Sequence, residues 1–369
     1  MVSFSDKDLI DLVSKNGLLI EPFSVEDMQP ASIDLQLNSG IFYLTETYFN
    51  EIKESHMKRF ASKRGYLEDG HVFELGKTYI VPGPKIKMPA TAFGTVEQKS
   101  TAGRLGIFSE TLLEGDSTLV RANHIPAGFE GRIWFRIETR AFPLIFRPGD
   151  KINQLRVRKV NTDFMTFDEI RGSYGGDVGM RDDKWNLVPL EHASDGNSTI
   201  LRLDTRRLLI QKTDIVDPIE YGKKNSAEIE DYWDVAINEG PELIIPKGIL
   251  YLLSSKEATD TGENVCWKMA IKTEELGIHA ETHRAGFGDP GFRATVTSEF
   301  INHHKNIMLS ENQFLSRLMW ERVTTPVKTS YGGHYQKQAS PQPPKQFRNF
   351  NKVWDMAANG EIKVKKLGR

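Results

Sequence analysis

Two short stretches hold side chains whose types and spacing suit chemistry. "EQKSTAGRLGI" (97–107) joins Lys99 and Arg104 to the hydroxyls of Ser100 and Thr101, with Ala102 and Gly103 between them. Small residues let backbone amides approach an anion, and hydroxyls and cations complete a phosphate cradle. The same pattern also serves as an ordinary cap and first turn of a helix, so alone it leaves both readings open. "DPGFRATVTSEFIN" (289–302) opens with turn residues, Asp289-Pro290-Gly291, and continues as a β-rich run interrupted by Glu299. A mid-strand glutamate ordinarily faces solvent; turned into a pocket, it is a candidate general base.

The elements that must position these residues are mainly strands. Ser5 is a candidate cap for a short helix with Leu9, Ile10, Leu12 and Val13 on one face and Gly17 at its end. Beyond it the chain breaks into short β-type runs, such as "KTYIV" (77–81), "GRIWFRIET" (131–139) and "ILYLL" (249–253), separated by Gly, Pro, Asn and Asp. This predicts a mainly β protein of sandwich or barrel type with a few short helices. At 369 residues two domains are expected, and the polar stretch around 170–198 reads as their junction. The predicted domains are 1–190 and 191–369, with a Gly-, Pro-, Ser- and Gln-rich mobile arm at 324–349.

The halves also look like copies of one another. "GFEGRIWFRIETRAFPLIFRPGDKINQLRV" (128–157) lies over "GFRATVTSEFINHHKNIMLSENQFLSRLMW" (291–320) without a gap, at an offset of 163, and "RLGI" (104–107) matches "ELGI" (275–278) at 171. A tandem duplication accounts for this most simply; two unrelated β-domains sharing a strand–turn–strand pattern is the alternative. At that offset Glu299 falls on Arg136, while the second half has Glu274 and Glu275 in place of Gly103 and Arg104. The phosphate-type loop thus survives in the first half only, and the candidate base lies in the second.

Composition narrows the partners. Lys and Arg number 48 against 50 Asp and Glu, a formal net charge of -2, so no basic field holds a nucleic-acid polymer. The lone Cys266 excludes a disulfide framework and a thiolate zinc site and fits a reducing compartment. The N-terminus lacks the basic-then-apolar pattern of a signal peptide, and no run approaches the roughly 18 apolar residues of a membrane span. A soluble, cytoplasmic protein is expected.

Together "QPASIDLQL" (29–37), "KSTAGRLGI" (99–107), "HRAGFGDPGF" (283–292), "SEFIN" (298–302) and "YGGHYQKQ" (331–338) resemble, in order, the motifs of dCTP deaminases, relatives of the trimeric dUTPases. The likeness is to the two-domain form and implies tandem dUTPase-like domains, each a distorted β-barrel or jelly roll. In that family the loop comes from one subunit and the glutamate strand from the next, so a duplicated chain can lose complementary halves of its sites. The resemblance implies a hydrolase acting on a cyclic amidine C–N bond, converting dCTP to dUTP and ammonia and feeding dUMP and dTTP synthesis. It assigns Glu299 as general base, with Ser100 and Arg104 orienting water and glutamate. Lys99, Thr101 and His334 would contact the triphosphate, with Mg2+ bridging its oxygens and bound by no protein side chain. Asp289 would accept from the sugar 3′-hydroxyl, Phe292 would pack on the deoxyribose, and backbone groups of Thr297, Ser298 and Glu299 would read the base. Arg284, displaced from its family spacing by "AGFG", would be a further substrate contact, and Tyr331, Tyr335 and Gln338 would close over the phosphates as a lid.

No zinc is expected, since the H-x-E…P-C-x-x-C signature of zinc deaminases is absent. A chain with two domains cannot close a three-domain ring, which implies a homo-oligomer. A dUTPase, or a bifunctional deaminase that also cleaves dUTP, shares most of these motifs. A non-catalytic nucleotide-binding regulator is the alternative from another class. His303-His304 reads as a solvated hairpin tip, and Trp320, which falls on Val157, as core.

Overall fold

The computed structural model describes residues 1–15, 17–46, 51–53, 55–56, 59, 61–115, 118–122, 124–215, 217–270, 280–282, 285–303 and 305–368. The architecture is mainly β, and its strands repeat. Glu130–Thr139 and Arg293–Asn302 start and end 163 residues apart, and Lys151–Lys159 and Phe314–Val323 start at the same interval. The ladders repeat with them: Trp134 stands opposite Pro82 in the first half, and the equivalent Thr297 stands opposite Ser254 in the second. Each of these two ladders also contains one register shift. In the first half Ile33–Gln36 pairs with Lys151–Lys159 and Gly40–Thr45 pairs with Thr78–Lys87. One continuous strand, Thr199–Gln211, does both jobs in the second half, turning between Asp204 and Leu209.

Most of the matched apolar positions have matched fates, because alternate strand residues face one core; Ile307, the counterpart of Leu144, is the exception and is half-buried. Leu144, Phe146, Ile152 and Leu155 are fully buried, as are Leu309, Leu315 and Leu318. Trp320 and its counterpart Val157 are both wholly buried, so this tryptophan is core. The halves are joined edge to edge by Val2–Ser3, which pairs with both Lys151–Lys159 and Phe314–Val323. Beside this seam Arg158 donates to Glu321 at 2.6 and 2.8 Å, and both are buried. The helix Asp6–Ser14 begins at Ser5 as its sequence predicts; Leu9 is buried, but Ile10 is 41% exposed, so the apolar face is narrower than expected.

Two expectations need correction. Met165, Ile170, Val178 and Met180, assigned to the first domain by a boundary at 190, pack into the second core, and Val178–Arg181 pairs with Leu250–Thr261. Charged and glycine residues around them gave that stretch the look of a junction, but its few apolar side chains dominate the packing. The 324–349 segment is packed down rather than loose. Lys337 donates its amide to the Arg293 carbonyl and Thr295 to that of Gln338, while Phe347 is wholly buried with its ring 5.4 Å from that of Tyr232. Burial of one phenylalanine contributes about 2–3 kcal/mol, enough to anchor an otherwise polar segment. Among the described residues no helix is long and apolar enough to cross a membrane.

Candidate active site

The loop that joins Ala92–Gln98 to Ile107–Glu114 forms the short helix Ser100–Arg104, and Thr101, Ala102, Gly103 and Arg104 are all buried. At its entrance the Lys99 ammonium contacts the carboxylate of Asp34, itself 5% exposed on Ile33–Gln36. The loop packs against the glutamate strand of the same chain. Glu299 is 4% exposed, and a Cβ on Gly103 would stand only 2.9 Å from its Cδ and Oε1 and 3.2 Å from Oε2. Only a glycine lets the backbone lie directly on that carboxylate. The solvent-facing reading of Glu299 therefore does not hold. Its counterpart Arg136 is buried as well, but lies in an ion pair with Glu110 at 3.1 Å, directly opposite it in the ladder.

The arm completes the arrangement. Gln338 accepts from Arg104 Nη2 at 3.1 Å and donates to the Thr295 carbonyl at 2.7 Å and to Thr297 Oγ1 at 3.1 Å. Arg104 also donates to Ser100 Oγ at 3.1 Å and to the Gln342 carbonyl at 2.7 Å, and its guanidinium lies 3.6 Å from the centroid of Tyr335. Tyr335 in turn meets Thr101, hydroxyl to hydroxyl, at 2.9 Å. Burial pulls the Arg104 guanidinium below its ordinary range, opposed by Tyr335, Glu299 and Tyr331. Burial also raises both tyrosines, which stay neutral and able to donate.

A cavity of about 480 Å³ opens between these elements. Lys99, Ser100, Thr101, Arg104, Asp289, Phe292, Thr297, Tyr331, His334, Tyr335 and Gln338 all line it. Ser298 and Glu299 do not; both are buried in the wall behind Thr297 and Gly103, and the Ser298 hydroxyl has no hydrogen-bond partner among the described residues. Arg284 lies outside the described residues, as does the 275–278 stretch of the repeat. Phe292 sits edge-on between Trp267 and Tyr331, with ring centroids 5.9 and 5.3 Å away. Asp289 is held at 3.0 Å by Arg156.

Several lining residues escaped sequence reasoning, among them Asp34, Asp150, Tyr221, Trp267 and Lys345. Asp34 lies inside a recognised motif, but nothing in its spacing shows that it faces Lys99. Lys345 forms a basic cluster with Lys99 and Lys224 around His334. Burial, then Lys99 and Lys224, bring the Lys345 ammonium down to about 8. Burial, followed by Lys224, Lys345 and Lys99, brings the imidazole of His334 down to about 4. Asp34 and Asp150 offset part of this positive charge at Lys345. Burial lifts the nearby Asp150 carboxyl to about 6. His303 is exposed, and among the described residues no three His, Cys, Asp or Glu side chains gather as a metal site.

Known proteins match this chain in both halves. The family model for the 2'-deoxycytidine 5'-triphosphate deaminase N-terminal domain matches residues 3–161, and that for its C-terminal domain matches 209–347. The "dCTP deaminase, dUMP-forming" of Hydrogenobaculum sp. (strain Y04AAS1) is 28% identical over 159 residues, which cover 42% of this chain and 82% of the relative. The "dCTP deaminase" of Aeropyrum pernix is 28% identical over 188 residues, 48% of this chain and 93% of its own. The crystal structure of 2'-deoxycytidine 5'-triphosphate deaminase from Agrobacterium tumefaciens, 24% identical, superposes with a TM-score of 0.76 and covers 88% of this chain and 96% of that one, so the fold is shared over nearly the whole length. With N- and C-terminal family models matched in order on a duplicated β fold, the chain belongs to the dCTP deaminase family, in its two-domain form.

Proposed function

We propose that this chain hydrolyses the 4-amino group of dCTP, giving dUTP and ammonia, with Glu299 as general base. The observation that supports it best is the contact of the Glu299 carboxylate with Gly103 of the Lys99–Arg104 loop inside one chain. Glu299 takes a proton from a water that bridges it to the cavity, as a general base can do through one water. The hydroxide equivalent adds to C4 of cytosine, and the proton passes to the amino nitrogen, which leaves as ammonia. Arg104, fixed by Ser100, Gln338 and Tyr335, holds the water and the carboxylate in register. Thr297 and the backbone on either side of it read the pyrimidine edge.

The sugar sits between Phe292 and Asp289, and the triphosphate runs toward Lys99, Thr101 and His334, with Lys345 as a cation that sequence alone does not single out. Tyr331, Tyr335 and Gln338 cover it. Of the carboxylates at that end, Asp34 is engaged by Lys99, and Asp150 accepts from the Arg147 amide at 2.7 Å. Mg2+ would accompany the triphosphate, screening its charge beside Lys99 and Lys345. The donor set offers no zinc site among the described residues.

One observation favours a nucleotide-binding protein without turnover: Glu299 does not open directly onto the cavity. Replacing it by Gln decides between the two, since general-base catalysis is typically worth about 10²–10⁴-fold in rate. We expect Glu299→Gln to lose ammonia release from dCTP while still binding dCTP; unchanged release would overturn the assignment. Because some relatives carry the name "dUMP-forming", the same assay should follow pyrophosphate. Its appearance from dUTP would identify the bifunctional reading.

A further inference from the structure

Arg156 lies on Lys151–Lys159 in the first half, is 0% exposed, and reaches into the second. Its Nη1 donates to the Trp267 carbonyl at 3.0 Å and its Nη2 to Asp289 Oδ1 at 3.0 Å, with the Gly288 carbonyl at 3.4 Å. Phe287 stacks against it, 4.2 Å from guanidinium carbon to ring centroid. Asp289 lines the cavity, and its second oxygen makes no hydrogen bond to any described residue. The pair is not repeated: at the same offset of 163, Arg156 falls on Met319 and Asp289 on Pro126. Two residues along the same strand, Arg158 makes the other buried charge pair across the seam, with Glu321, and neither of those side chains lines the cavity. A guanidinium aimed at a cavity-lining carboxylate, in only one of two equivalent places, is a specialised feature of this site.

We propose that Arg156 is a positioning residue that ties up one oxygen of Asp289 so that the other is presented to the sugar 3′-hydroxyl, making sugar selectivity depend on a residue from the opposite half of the chain. This rests on the reading of Asp289 as the acceptor for that hydroxyl. A hydroxyl donating to a well-held carboxylate is worth about tenfold or more in kcat/KM. A carboxylate free to rotate keeps little of that.

The experiment compares kcat/KM for dCTP and for 2′,3′-dideoxycytidine triphosphate in the wild type, Asp289→Asn, Arg156→Met and Arg156→Lys. The wild type should prefer dCTP by about tenfold or more, and Asp289→Asn should lose that preference. Both Arg156 variants should cut it at least threefold, lowering kcat/KM for dCTP more than for the dideoxy substrate. A merely structural arginine would lower both substrates alike and leave the ratio intact, which overturns the proposal while sparing the reading of Asp289. A wild-type ratio near one overturns both. Arg156→Lys retains the buried charge and fills most of the space, so it serves if Arg156→Met does not fold.

Discussion

Gly103→Ala isolates the contact on which the proposed chemistry depends. The new methyl would lie 2.9 Å from Cδ and Oε1 of Glu299, where an ordinary contact needs roughly 3.4 Å. The carboxylate or the helix must therefore give by about 0.5 Å. Glu299 is 4% exposed and walled in, so it cannot swing into solvent. If Ser100–Arg104 moves instead, Ser100 and Arg104 leave register with it. A misplacement of about 1 Å can cost 10²-fold in rate, so a drop in kcat of about ten- to a hundredfold is expected. Stability should also fall, by about 1–3 kcal/mol for the overpacked contact, offset in part by the roughly 0.5–1 kcal/mol by which alanine favours a helix over glycine. Steady-state ammonia release and a thermal melt on the same preparation read both quantities. A kcat within twofold of wild type, in a folded variant, would refute the idea that Glu299 works against this loop.

Two further outcomes follow from the charges. Lys345, at about 8 in the free protein, gains its proton when a triphosphate binds, so affinity is greatest below pH 8 and KM should rise as pH increases above it. Between pH 7 and 9.5 the wild-type KM should climb by about tenfold, while Lys345→Met starts high and stays flat; an unchanged profile in the variant removes Lys345 from the phosphate site. Arg136→Met strips Glu110 of a buried partner but leaves it Arg121 at 2.9 Å, so a stability loss toward the lower end of the 3–5 kcal/mol seen for broken buried pairs is expected in denaturant titration. Its kcat on dCTP should stay within about twofold, and a large fall would show that the first-half position is not merely structural.

Much of this was legible in the sequence because the repeat runs without a gap over 128–157 and 291–320. Once Glu299 falls on Arg136, both must sit on equivalent strands, and side-chain alternation fixes which face they share. Local chemistry likewise exposed the Lys99–Arg104 loop and the Asp289-Pro290-Gly291 turn. What stayed hidden depends on contacts between distant segments. The composition of 324–349 says nothing of Phe347 sinking between Tyr232 and Trp233, so a packed segment reads as a loose one. Arg156 looks like any strand arginine until the second half is laid across it. The apolar residues of 165–180 are too sparse to outweigh their polar neighbours in sequence, yet they choose the second core.

The central claim is that one chain's own loop and strand form a deaminating site around Glu299. Its most direct test is single-turnover conversion of dCTP by Glu299→Gln beside the wild type, with dCTP binding measured on both. The wild type should yield ammonia and dUTP, and the variant should lose both by at least about 10²-fold while its dCTP affinity stays within a few-fold. Undiminished ammonia release from Glu299→Gln, or dCTP bound but never turned over by the wild type, would contradict it.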